Sequence, residues 1–332
     1  MDFSELSADQ RRQMIDVKHA FVAWRASAQD FQHSFRGTMH WRKVAGHEYL
    51  SRKYANVWEQ IGPRSPETER IKESYSTQRL ELRGRLAKLK KNLDDMRRIN
   101  RAMDLGRVPD MAARVLRKLD DEGILGKHLV VVGTHALYAY EARTGVVLSG
   151  GLTATKDIDF LWDARRRFTF LMQGFVERGV VALLKEVDGS FRKLRSYNAV
   201  NADPYMVDLI RPERKNEAYK AMPAMTKAAD ELEPAPIRGL EWLVHSPKFE
   251  ETVVAADGSP LRIVTIDPRA FALHKWWLSK LPERGQAGRR DALQAVAAAR
   301  LAKDYMGLRF DKEELTSLPK ELLAGMQDLI RD

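Results

Sequence analysis

Two carboxylates, Asp157 and Asp159, stand two positions apart in the run Thr155-Lys156-Asp157-Ile158-Asp159-Phe160-Leu161-Trp162. The apolar, β-prone neighbours predict a strand, and on a strand the period of two turns both acids to one face. Acids held so close repel unless a cation lies between them, and hard oxygen ligands suit Mg²⁺. Upstream, the strand-like run His128 to Val132 ends at Gly133-Thr134, and a helix is predicted from His135 to Ala142. A glycine turn of this kind leaves backbone N–H groups at a helix N-terminus, where phosphate is favoured. A third acid, Asp208, sits within the short apolar run Tyr205 to Ile210, where a charge is costly to bury unless it is paired or bound to metal. Each signal taken singly is also what a turn or a strand end produces. Together and in this order they read as a nucleotide site, a cation cradle beside a phosphate cradle.

The order (apolar strand, glycine turn, acid-x-acid strand, third acid on a later strand) resembles the nucleotidyltransferase superfamily of DNA polymerase β type. Ala272-Leu273-His274-Lys275 and the later Arg290-Asp291 are similar to a bacterial branch of that superfamily, related to the nucleotidyltransferase toxins of abortive-infection systems. The resemblance spans roughly residues 125–305, a domain-sized stretch. Thr134 departs from the usual second glycine or serine, though its hydroxyl can also cap a helix or touch phosphate. The stretch from Gly133 to Asp157 is longer than in minimal members and is expected to hold a helix and a glycine-rich loop, Gly145 to Thr155.

The resemblance implies a nucleoside triphosphate such as ATP as substrate. It also implies two Mg²⁺ ions (or Mn²⁺) on Asp157, Asp159 and Asp208, and attack of an acceptor hydroxyl on the α-phosphorus with release of pyrophosphate. Gly133, Thr134 and His135 would hold phosphates, Lys275 would supply a side-chain cation, and Asp291 would orient it. The acceptor stays open between a protein side chain, an RNA 3′ end and a small molecule. A toxin or phage-defence role is compatible with this chemistry. The competing class is a catalytically silent module that binds nucleotide or RNA. For Lys275 and Asp291 the simpler reading is an interhelical salt bridge. His274 is read as a general base or a packed core residue, and Trp276 and Trp277 as base-stacking or core.

These residues need a framework, and 332 residues with 44% hydrophobic content can build a sizeable core in about two units. The absence of cysteine excludes disulfides, a thiol nucleophile and a cysteine zinc site. No apolar run is long enough to span a membrane, and the polar, acidic start lacks a signal-peptide core, so a cytoplasmic protein is expected. The charge balance, 56 basic against 46 acidic residues or +10, fits a polyanionic partner or a solvated basic surface.

Residues 1 to about 120 read as helical. Ser7 and Gln10 form a capping box ahead of Met14, Val17, Phe21 and Trp24, and Gly62 to Pro66 marks a break. Leu82, Leu86, Leu89, Leu93, Met96 and Met103 then make a coiled-coil-like seam with Asn100 in its line. That seam would join two copies as a homodimer or pack within its own domain. The polar face of the same helix is basic but lacks aromatics, so sequence-specific RNA reading by it is unsupported.

Further on come a helix near Arg165 to Arg178, strands at Phe191 to Leu194 and Met206 to Ile210, and an exposed connection over 220–235. Next are a hairpin turning at Asp257-Gly258 and helices from Pro268. The fold class is α+β. A helical domain over 1–124 is expected to precede a mixed-sheet nucleotidyltransferase core over 125–235, with a hairpin and helical part over 236–332 completing the site.

Overall fold

The computed structural model describes residues 3–54, 57–163, 173–213, 230–316 and 318–331. The helix expected near 165–178 and the connection at 220–229 lie largely or wholly outside the described residues. Among those described, no helix is long and apolar enough to cross a membrane.

The chain begins with a short strand β1 (Ser4–Glu5) and a long helix α1 (Ala8–Ser34). The N-terminus of α1 carries the expected capping box, with Gln10 N donating to Ser7 Oγ at 3.2 Å and Ser7 N to Gln10 Oε1 at 2.9 Å. The N-terminal region is not all helical, however. Strands β2 (Thr38–Val44), β3 (His47–Tyr54) and β4 (Val57–Pro63) form an antiparallel sheet before α2 (Pro66–Ala102). The local cause is turn chemistry. Gly37 at φ 85° ends α1's reach, and Ala45-Gly46, with φ 50° and 86°, makes the left-handed two-residue turn that hairpins favour. The alternating pattern of Met39, His40, Trp41 and Arg42 then suits a pleated strand.

α2 has 37 residues and is therefore about 55 Å long, with the sheet at its start and the body of the protein at its end. The lower part of the seam is used within the chain, where Leu93 and Met96 pack with Phe21 and Trp24 of α1. Asn100 is fully buried, accepting from Gln13 Nε2 at 2.9 Å and donating to Gly258 O at 2.8 Å. It joins the arm to the β-hairpin of the main domain through these two hydrogen bonds.

The main domain holds α3 (Asp110–Asp121), β5 (Leu129–Val132), α4 (Ala136–Thr144), β6 (Val146–Val147), α5 (Gly150–Thr153) and β7 (Asp157–Trp162). It continues through α6 (Gln173–Val187), β8 (Arg192–Arg195), β9 (Asn198–Val200), β10 (Met206–Pro212), β11 (Ala235–Ile237) and α7 (Leu240–His245). The hairpin β12 (Lys248–Val254) and β13 (Pro260–Ile266) leads to α8 (Pro268–Ser279), α9 (Gly285–Arg300), a π-turn (Leu301–Tyr305), α10 (Lys320–Ala324) and α11 (Met326–Arg331).

The sheet runs β5-β7-β10-β9-β8, with β11 added beside β10, and it is mixed: β5 and β9 are antiparallel to their neighbours while β7 and β10 are parallel. The α+β class is therefore observed. Helix α3, placed by sequence in the N-terminal unit, buries Val115, Leu116 and Leu119 in the same core as the sheet, α8 and α9.

Candidate active site

Strand register brings the three acids together. Asp159 lies directly across from Asp208 in the parallel β7–β10 ladder, and Asp157 across from Met206, two residues along on the same face. On its other side Asp159 pairs with Val132, the residue before the glycine turn. The sequence could place Asp157 beside Asp159, but the meeting with Asp208 depends on which strands pair and in what register.

Gly133 sits where this geometry tolerates no side chain. Its φ is 66°, in the left-handed region, and a Cβ there would strike the Asp159 carboxylate. Gly133→Ala is therefore expected to destabilise the fold by about 1–3 kcal/mol and to push Asp159 off its position. Thermal unfolding together with a transfer assay checks this, and an alanine variant with wild-type melting and activity would refute the packing argument. The chain continues in a single 3₁₀ turn, Gly133–His135, into α4.

The site is electrostatically tense. Burial, then the neighbouring Asp157 and Asp208 charges, pushes the Asp159 carboxyl up to about 7. Asp208 is also raised, mainly by burial, with Asn198 and Arg195 pulling the other way. Its Oδ1 is buried without a hydrogen-bond partner. Asp157 accepts from the Thr155 hydroxyl. Among the described residues, no three His, Asp or Glu side chains converge on one point as a finished metal cage.

Lining one cleft of about 450 Å³ with Asp159 and Asp208 are two cations, Lys275 on α8 and Arg284 just before α9, whereas Asp157 does not line it. Both grip Asp291, which is 2% exposed: Lys275 Nζ lies 2.7 Å from Oδ1 and Arg284 Nη2 2.6 Å from Oδ2. The salt bridge is thus real, and it also presents the two cations to the cleft, where their fields oppose the rise of Asp159. α9 further clamps the turn before α4 and the segment around α5. Gln294 Nε2 donates to Thr134 Oγ1 at 3.1 Å and to Leu152 O at 2.8 Å, and Arg290 binds Leu152 O and Ala154 O.

A nucleotidyltransferase family model matches residues 110–318, more than half of the chain and the whole of this site. The chain belongs to that nucleotidyltransferase family. Membership carries nucleotidyl transfer as the general reaction and a nucleotide as substrate class. Neither a curated protein nor a solved structure matches the chain.

Five sequence-based candidates are placed as follows in this nucleotidyltransferase. The His135 side chain is turned into the core, 1% exposed, packed edge-on to Tyr138 and lowered to about 4 by burial. Only its main-chain N–H is left for phosphate. Asp291 does not line the cleft and acts by holding Lys275 and Arg284. His274 lines the cleft, yet burial lowers it to about 3, so it is neutral at physiological pH. Trp276 packs against Gly325 and Trp277 against Trp242 (5.1 Å between rings); neither lines the cleft.

Sequence reasoning missed Arg284, Gln294 and Asn198. Gln294 had a signal, since it follows Asp291 by three residues and so shares its face of α9, whereas Arg284 lies in the turn before that helix. Asn198 had none, because β9 is three residues long and its pairing with Asp208 is a matter of register.

Proposed function

We propose that this nucleotidyltransferase moves a nucleoside monophosphate from a nucleoside triphosphate such as ATP to a hydroxyl acceptor, with divalent cations held by Asp157, Asp159 and Asp208. The observation that supports it best is the pairing of Asp159 with Asp208, which has a buried, unpartnered oxygen, in one cleft with Lys275 and Arg284, with Asp157 two residues along the same strand face. An all-oxygen donor set with excess negative charge fits Mg²⁺ or Mn²⁺. Mg²⁺ bound there would screen the acids and lower the pKa of an acceptor hydroxyl.

The chain's own groups do the remainder. Main-chain N–H groups at Gly133, Thr134 and His135 face phosphate oxygens at the start of α4. Lys275 and Arg284, fixed by Asp291, stand where charge grows on a departing pyrophosphate. Gln294 holds Thr134, and so the glycine turn, against α9.

The test is incubation of purified protein with each α-labelled triphosphate, Mg²⁺ and a total lysate. Label is expected on a discrete acceptor (protein, RNA 3′ end or small molecule) with one triphosphate preferred, and label should vanish with Asp157→Ala. Nucleotide binding without transfer from any of the triphosphates would favour the silent module. A toxin or phage-defence role is one biological use of such transfer; growth arrest on induction of the wild type, absent with Asp157→Ala, is its expected signature.

A further inference from the structure

Far from the acids, the β2–β3–β4 sheet exposes a face that the transfer chemistry does not use. Register places Lys53 directly between Thr38 and Trp58, and Ser51 between His40 and Gln60; Arg42, opposite Tyr49, shares that face. Trp58 is 40% exposed at its centre. The Arg42 guanidinium lies 4.4 Å and the Lys53 ammonium 5.3 Å from the Trp58 ring centroid, and His40 meets it edge-on at 6.2 Å. Neither Arg42 nor Lys53 makes an ion pair among the described residues, whereas Glu48, one of only two acids in residues 36–64, is taken by Arg64 at 2.7 Å. The same segment carries six Lys and Arg residues. Further along α2, Arg83, Arg85, Lys88 and Lys91 are exposed as well, Lys91 being paired with Asp95 at 3.2 Å.

We propose that this sheet face is a docking surface for single-stranded nucleic acid, with Trp58 stacking an unpaired base and Arg42, Lys53 and the α2 cations lying along the phosphates. Charge complementarity selects this occupant. Placing a protein over Trp58 would strip water from Arg42 and Lys53, which have no carboxylate partner among the described residues, a cost that only acids on that protein could offset. A nucleic acid strand instead brings an anion for each cation and releases its counterions. An aromatic side chain interleaved with basic ones is the arrangement by which single strands are held with little regard to sequence. The aromatic group that the basic face of α2 lacks is thus supplied by the sheet at its tip. The inference stands independently of nucleotidyl transfer, because the sheet lies at the opposite end of α2 from the body of the protein.

The probes are fluorescein-labelled single strands of about 15 nucleotides, RNA and DNA of one sequence, their blunt duplex, and labelled polyglutamate, followed by anisotropy on the full chain. Saturable binding of the RNA strand, the DNA strand or both is expected, tighter than duplex and polyglutamate; which strand binds names the sugar. Trp58→Ala should weaken single-strand binding by about tenfold and Trp58→Phe by far less, because stacking survives. Arg42→Gln with Lys53→Gln, which leaves the indole in place, should flatten the dependence of log affinity on log salt by about 1–2. Variants are compared after melting curves show the wild-type transition. Polyglutamate binding as tightly as the strands, affinity unchanged by both Trp58→Ala and the Arg42/Lys53 double variant, or no saturable binding would overturn the proposal.

Discussion

Asp159→Asn is expected to abolish transfer, by a factor on the order of 10³ or more, while melting above the wild type in metal-free buffer near pH 8. The two effects share one cause. Asp159 is a carboxyl confined against Asp157 and Asp208 and pushed up to about 7, so its ionised form is the one that the fold tolerates least. Proton linkage sets the sign. The folded chain keeps the Asp159 proton up to about pH 7, whereas the unfolded chain loses it near 3.8. Between those values the native state binds more protons, so stability falls as pH rises and levels off above the folded pKa. Allowing for solvent screening at a partly exposed side chain, the loss amounts to about 1–2 kcal/mol, or a few degrees in melting temperature. Asparagine removes that slope, and millimolar Mg²⁺ should restore wild-type stability at pH 8 while doing less at pH 5, where Asp159 is protonated. A variant that melts well below wild type in metal-free buffer at pH 8 would show that Asp159 is a structural acid.

Lys275→Ala is expected to lower kcat by about 10²–10³ with a much smaller change in KM. An ammonium beside the leaving pyrophosphate contributes most as charge develops there, so its removal falls on the transition state rather than on ground-state binding. Lys275→Arg should recover only part of the rate, since a planar guanidinium cannot replace a compact point charge held 2.7 Å from Asp291. Arg284 keeps its own bond to Asp291 in the alanine variant. The stability loss should therefore stay below the roughly 3–5 kcal/mol typical of a buried acid stripped of every partner. Asp291→Asn should give a milder fall in kcat, because both cations lose their anchor. Steady-state kinetics read against melting curves separate the outcomes: if Lys275→Ala unfolds the protein but leaves the turnover of the folded fraction intact, the ion pair serves packing alone.

Signals that depend on neighbours in the chain are legible without the fold. Asp157 and Asp159 share a face because strands have a period of two. Ser7 and Gln10 cap α1 because the box closes over three residues, and Asp257-Gly258 turns the β12–β13 hairpin through a glycine at φ 84°. The β2–β4 sheet escapes such a reading although its signals are equally local, because a helical pattern on either side outweighs strands of seven or eight residues and the Ala45-Gly46 turn.

The sequence by itself determined the capping of α1, the face on which the paired acids sit, and the glycine that must precede α4, since each depends on backbone geometry within a few residues. Tertiary structure decided what those residues meet. The pairing of Asp208 with Asp159 is a choice of strand register, and the joining of Arg284 to Lys275 through Asp291 is a choice of how α8 packs on α9. The burial of Asn100 between α1 and the hairpin turn joins groups 158 positions apart. Such contacts are fixed by packing and hydrogen-bond satisfaction over the whole domain, and those constraints come into being only when distant segments exclude water together.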